Sequence, residues 1–237
     1  MNAKAGHSER APNLAMYWGV LAAYLLVPLI FLVAGGDLNW WQAWTYSVLV
    51  ILAGVAGRWW SDKRNPGLAS ERFHALKAPD VKPWDRWLAP LAAFSVGFPL
   101  HIVAALDHRF GWSLPFLSGL DITGLVLVAL GYGFSVWALV ENRFFSLAVR
   151  IQADRGHRLV DSGPYRIVRH PGYAGNIPAM IGMVLALGSL WMLIPVAVAL
   201  FFTGLRTALE DRTLQAELPG YREYAQRVRY RLIPGIY

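Results

Sequence analysis

The sequence predicts an all-α integral membrane protein with about six transmembrane helices. Three observations predict it. Of 237 residues, 56% are hydrophobic and only 16% charged, against about 45–50% and about 25% in soluble domains. The apolar residues gather into stretches of roughly the 20 residues that cross a bilayer, and the mean hydropathy is +0.37. The 22 lysines and arginines fall almost wholly into alternate connections, as in a polytopic chain whose basic loops stay cytoplasmic.

Taken in order, residues 1–13 are polar and read as a short cytoplasmic tail. Residues 14–34 form the first span. The run is longer than the 7–15 residues of a signal-peptide core and has no A-x-A site after it, so it is read as retained. Spans two to four are 43–60, 87–106 (with His101 inside) and 120–140, with a cytoplasmic connection at 61–86 between spans two and three. The last apolar stretch, 174–205, is too long for one straight span. Gly188-Ser189 near its middle predicts a tight helical hairpin, 174–206, whose arms Pro178 and Pro195 bend. The alternative is five spans and a re-entrant pair. Six spans put both termini and every lysine and arginine except Arg109 on one side, whereas merging the hairpin would put the last six arginines on the other side. Trp40, Trp41, Trp44, Trp59, Trp60, Trp84, Trp87 and Trp112 cluster at span ends, where indole rings anchor at the interface.

Composition also excludes classes. There is no cysteine, hence no disulfide, cysteine nucleophile or thiolate metal site. The net charge of +7 is assigned to topology and anionic headgroups, not nucleic acid. His74 has no partner at metal-ligand spacing, so no metal site is expected. His101 and His108 read as structural or interfacial, and no obligate protein partner is evident.

The chemistry is expected in residues 142–237, the cytoplasmic C-terminal region. The stretch from Asn142 to Tyr173 reads NRFFSLAVRIQADRGHRLVDSGPYRIVRHPGY. Alternation at Leu147, Val149 and Ile151 suggests a short extended piece. Gly156 and Ser162-Gly163-Pro164 mark turns. Arg169-His170-Pro171 looks like a helix start with Pro171 in first position, whose free N–H groups suit an anion. A loop of this length and punctuation is more often functional than structureless. Asn142 suits a helix cap or a substrate contact. Arg150, Arg155 and Arg166 read as topology charges. Arg206 and Glu210 lie four apart on one helix face, and the plain reading is an intrahelical ion pair. An amphipathic basic segment follows the break at Leu218-Pro219-Gly220.

The ordered set GPYRIVRHPGYAG, a helical hairpin, RxxxED and GYREYAQRVRYRLIP resembles the isoprenylcysteine carboxyl methyltransferase family, from about Asn142 to Ile236. The resemblance implies a membrane enzyme that uses S-adenosylmethionine to methylate a lipid-like or isoprenoid substrate drawn from the bilayer, in the inner or plasma membrane if the source is bacterial. It implies cofactor contacts at Gln152, His157, Arg158, Leu159, Val160, Tyr165, His170, Pro171, Gly172, Tyr173 and Glu210. Arg206 takes the place of the arginine assigned to the substrate carboxylate. The residue types suit that chemistry: Glu210 for the cofactor's amino group, His170 and the N–H groups behind it for its carboxylate, Tyr165 or Tyr173 for adenine or sulfonium. Membrane sterol reductases that use NADPH share a similar RHPxY loop and are the runner-up. A phospholipid N-methyltransferase is a further possibility, and a non-catalytic membrane subunit a third class.

Overall fold

The computed structural model describes residues 14–237, and the expected tail 1–13 lies outside the described residues. Those residues are helical and contain no strand. The first span is α1, Leu14–Ile30, running on as a π turn, Phe31–Gly35. Next comes α2, Trp41–Arg64, a turn longer than the apolar run because its end takes in Asp62, Lys63 and Arg64. A short α3, Leu68–His74, follows. The expected third span is two helices, α4, Asp85–Val96, and α5, Phe98–Phe110. They break at Gly97 because Pro99, near the start of α5, has no N–H to continue the ladder. Then come α6, Leu120–Glu141, α7, Pro171–Leu187, α8, Leu193–Glu217, and the short α9, Tyr221–Arg227.

The chain runs the length of the bundle six times: α1, α2, α4 with α5, α6, α7 and α8. Connections at one end are tied by His108 to Asp37 (2.9 Å), Gln42 to Asp121 (3.2 Å) and the Leu190 N–H to Ser113 Oγ (2.9 Å). The other end is tied by Asn65 Nδ2 to the Val140 carbonyl (2.9 Å) and Ser135 Oγ to the Gly172 carbonyl (3.0 Å). Four segments are long and apolar enough to cross a membrane: Trp18–Gly35, Asp85–Phe110, Leu120–Glu141 and Leu190–Glu217. α2 and the 17-residue α7 fall outside that set. Ile122, Val126 and Leu130 on α6, and Ile194, Val198, Phe201 and Leu205 on α8, face outward and are exposed. A fold whose outer face is apolar needs lipid around it.

Lipid supplies no hydrophobic drive between helices, so small residues must let backbones close up. α6 and α7 do this antiparallel. A Cβ at Gly131 would strike the Gly175 carbonyl, and one at Gly124 the Gly182 carbonyl and the Ala186 backbone. The expected hairpin turn exists: Gly188 caps α7 at φ 67°, a left-handed conformation that glycine adopts without strain. Its arms are not a tight pair, however. α7 packs chiefly on α6, and α8 packs chiefly on α4. The arms part because α7 spends its small-residue face on α6. Inside the bundle, His101 donates from Nδ1 to the Gly97 carbonyl (2.7 Å) and accepts at Nε2 from Tyr46 (3.1 Å), which is a satisfied structural histidine.

Candidate active site

The segment after α6 is irregular, and the extended piece expected at Leu147–Ile151 pairs with no strand. It is held from outside. Asp85, wholly buried at the start of α4, accepts from the Val149 N–H (2.6 Å) and from Arg206 Nε and Nη2 (2.8 and 2.9 Å). Arg206 Nη2 also donates to the Leu147 carbonyl (2.7 Å). The intrahelical pair between Arg206 and Glu210 therefore does not form. The guanidinium turns toward a full carboxylate 121 positions away in sequence, and Glu210 instead accepts from Tyr173 Oη (2.8 Å). Arg150 is no plain topology charge. Its buried side chain meets Glu71 (2.9 Å), Asp80 (2.9 Å) and Asp154 (3.0 Å), and Asp154 is held below the usual carboxylate range chiefly by that arginine.

Gln152 is buried, donating to the Phe144 carbonyl (2.8 Å) and accepting from Arg155. Its backbone N–H donates to His157 Nδ1 (3.2 Å). That bond leaves the ring proton on Nε2, and burial, with Arg150 and Arg155 nearby, pushes His157 down to about 4. Asn142 caps α6: Oδ1 accepts from the Phe144 N–H (2.8 Å) and Nδ2 donates to Tyr165 Oη (3.1 Å). Burial pushes the Tyr165 phenol up.

The third wall begins where α7 does, with Pro171 in its first turn as expected. The anion site expected there is largely spent. The N–H groups of Tyr173 and Ala174 turn back to the His170 carbonyl (3.1 and 3.0 Å), and those of Arg169 and His170 go to Tyr230 and Arg231 (2.9 and 3.0 Å). The His170 ring points at Asp211 Oδ1 (3.2 Å). Asp211, with no exposed surface, is a hub: Arg169 (2.8 and 3.0 Å), Arg231 (2.9 Å), Tyr221 (3.1 Å) and Gln215 (2.8 Å) also donate to it. It thereby straps the C-terminal segment across the loop, helped by Tyr224 Oη on the Tyr165 carbonyl (2.7 Å).

These walls enclose a cavity of about 260 Å³. Gln152, His157, Arg158, Leu159 and Val160 line one side; Tyr165, His170, Pro171, Gly172 and Tyr173 another; Asn142, Arg206 and Glu210 complete it. Every site residue named from the sequence thus borders one space. Several border it with side chains already engaged by protein: Gln152 and Asn142 on the loop, Tyr165 on Asn142, His170 on Asp211. Those with free capacity toward the cavity are Glu210, with one unengaged carboxylate oxygen, His157, with its Nε2, and Arg206, with the Nη1 that its bonds to Asp85 and Leu147 leave over. Leu159 and Val160 pack with Tyr165, Leu218, Tyr221 and Tyr224. Arg158 is exposed. Sequence reasoning misses Arg72, Asp85 and the hub role of Asp211. The spacing of motif residues carries no trace of Arg72 or Asp85, whose partners lie elsewhere in the chain. The acid doublet Glu210-Asp211 is visible, but not that its two halves face different ways.

Residues 124–216 match the model of the isoprenylcysteine carboxyl methyltransferase (ICMT) family. A probable protein-S-isoprenylcysteine O-methyltransferase of Oryza sativa subsp. indica is 32% identical over 108 residues, 44% of this chain and 56% of that protein. The cobalt-zinc-cadmium resistance protein CzcN of Cupriavidus metallidurans is 32% identical over 119 residues, 49% of each. A Delta(14)-sterol reductase of Mus musculus is 38% identical over 86 residues, 35% of this chain and 20% of that protein. The chain spans about half the length of the first two relatives and a fifth of the third. The match over residues 124–216, less than half of the chain, takes in every cavity side chain named from the sequence, and over that stretch the chain is similar to the isoprenylcysteine carboxyl methyltransferase family.

Proposed function

We propose that the protein is an integral membrane methyltransferase that takes its methyl group from S-adenosylmethionine and O-methylates a carboxylate of an isoprenoid or lipid-like substrate. The observation that carries this reading is the shared cavity. Residues from the Asn142–Tyr173 loop and from Arg206 to Glu210 converge there, at the bundle end that gathers the basic residues and beside helices with apolar outer faces. The lining suits the cofactor's parts: an acid with an unengaged oxygen (Glu210) for an ammonium group, and the rings of Phe144, Phe145 and Tyr173 for an adenine or a sulfonium.

When bound, S-adenosylmethionine would supply an electrophilic methyl group, so the protein's work is to bind and orient. Glu210, steadied by Tyr173, would hold the amino group. Gln152 and Asn142 hold the loop in shape. Arg206 keeps Nη1 free of the Asp85 pairing and would steer the acceptor carboxylate. A carboxylate with a free pKa of about 3.5 is ionised at neutral pH and needs no general base. An amine acceptor would need one, which speaks against a phospholipid N-methyltransferase. Among the described residues every lysine and arginine but Arg109 lies toward the cavity end, and the positive-inside tendency would make that end cytoplasmic.

The sterol-reductase reading rests on the mouse relative, and one experiment separates it. Labelled S-adenosylmethionine is equilibrated with detergent-purified protein and competed with S-adenosylhomocysteine or NADPH. Displacement by S-adenosylhomocysteine alone is expected, with affinity lost in Glu210→Gln. No binding, or displacement by NADPH alone, would overturn the methyltransferase reading.

A further inference from the structure

The arginines around the cavity differ in one respect. Arg150 has three acids, Arg169 has Asp211 and Arg206 has Asp85, while Arg158 is exposed to solvent. Arg72, on α3, also lines the cavity and pairs with no acid among the described residues. Its Nη1 donates to the Phe145 carbonyl (3.1 Å), and its guanidinium lies 4.9 Å from the Phe145 ring centre. Its Nε is sealed from solvent and makes no hydrogen bond. Loss of solvent, and after it the like charge of Arg58, push Arg72 down to about 10, so Arg72 stays protonated at neutral pH.

A half-buried cation with a sealed, unpartnered Nε and no counter-charge is costly unless something supplies one. Here the space beside it is the cavity. A guanidinium fork matches a carboxylate with two parallel hydrogen bonds, whereas Arg206 has spent its Nε–Nη2 fork on Asp85 and has only Nη1 left to steer with. Resting on the methyltransferase reading, we infer that Arg72 is the cavity's carboxylate receptor, a ligand-binding residue contributed by a helix outside the 124–216 family match. The carboxylate belongs either to the cofactor or to the methyl acceptor.

The test uses the whole chain in detergent and two ligand pairs: S-adenosylhomocysteine with its decarboxylated analogue, and N-acetyl-S-farnesylcysteine with its carboxamide. Calorimetry measures each against wild type and Arg72→Met. Wild type should favour one acid over its neutral partner by about tenfold or more, and Arg72→Met should lose that preference. Loss within the first pair names the cofactor's carboxylate; loss within the second names the acceptor's. A preference that survives in the variant, or wild type binding acid and neutral partner equally in both pairs, overturns the inference. Without ligand, Arg72→Met should melt within a few degrees of wild type or above it, since it removes an unpaired, half-buried charge. A fall of more than about 8 °C would make Arg72 a structural tie to Phe145 and overturn the inference as well. If wild type binds none of the four ligands, the methyltransferase reading fails, and the melting measurement alone decides Arg72.

Discussion

Asp85 and Arg206 form the pair on which the cavity loop hangs. Asp85 is wholly buried and receives three donors, two from Arg206 and one from Val149. Removing the arginine alone leaves that carboxylate without its counter-charge, a loss of about 3–5 kcal/mol for a buried pair. Arg206→Met should therefore lower thermal stability sharply, and Asp85→Asn in the same chain should restore much of it. If the double variant melts no higher than Arg206→Met, the pair is not what holds the loop. At this scale the sequence is legible where roles are local. The turn-rich stretch from Asn142 to Tyr173 and the Arg206–Glu210 turn all border one cavity. It is illegible where a side chain answers a distant one: spacing suggests that Arg206 pairs with Glu210, yet burial favours the larger electrostatic gain from a solvent-free carboxylate on α4.

Helices meet on terms set by their smallest residues. Gly124 and Gly131 on α6 face Gly182 and Gly175 on α7 with no room for a Cβ. Gly175→Leu would drive a side chain into the α6 backbone, and no rotamer relieves a clash with a carbonyl oxygen. The variant should fail to yield folded, monodisperse protein in detergent, while Gly133→Leu, with open space around it, should behave as wild type. Equal behaviour of the two would remove the close approach from the account. Apolar length locates α1, α6 and the Gly188 turn in the sequence. It does not reveal the break at Gly97, since hydropathy is blind to a missing proline N–H. Nor does it reveal that α7 and α8 part, because partner choice depends on which faces fit.

Across the whole molecule, six passes bring the start of α1 and the end of α8 to one end, and the chain has no native cysteine. Ser118→Cys and Ala153→Cys place single thiols at exposed positions of opposite ends. A membrane-impermeant maleimide added to sealed, oriented vesicles should label Ser118→Cys from the outer face and reach Ala153→Cys only after permeabilisation. Labelling of both from one face would overturn the six-pass topology.

The 25 residues of α8 measure about 38 Å at 1.5 Å per residue, against about 30 Å of hydrocarbon. One helix is thus immersed at one end and stands clear at the other, and it carries Arg206, Glu210 and Asp211 on its upper part. Hydrophobic mismatch then becomes a mechanical input: in a bilayer thinner or thicker than its immersed length, α8 tilts. The tilt strains the Arg206 clamp that ties α8, one turn from Glu210, to Asp85 on α4 and to the Leu147 carbonyl of the loop. Turnover in vesicles of graded acyl-chain length should pass through a maximum, and a flat profile would mean that the rest of the bundle absorbs the strain.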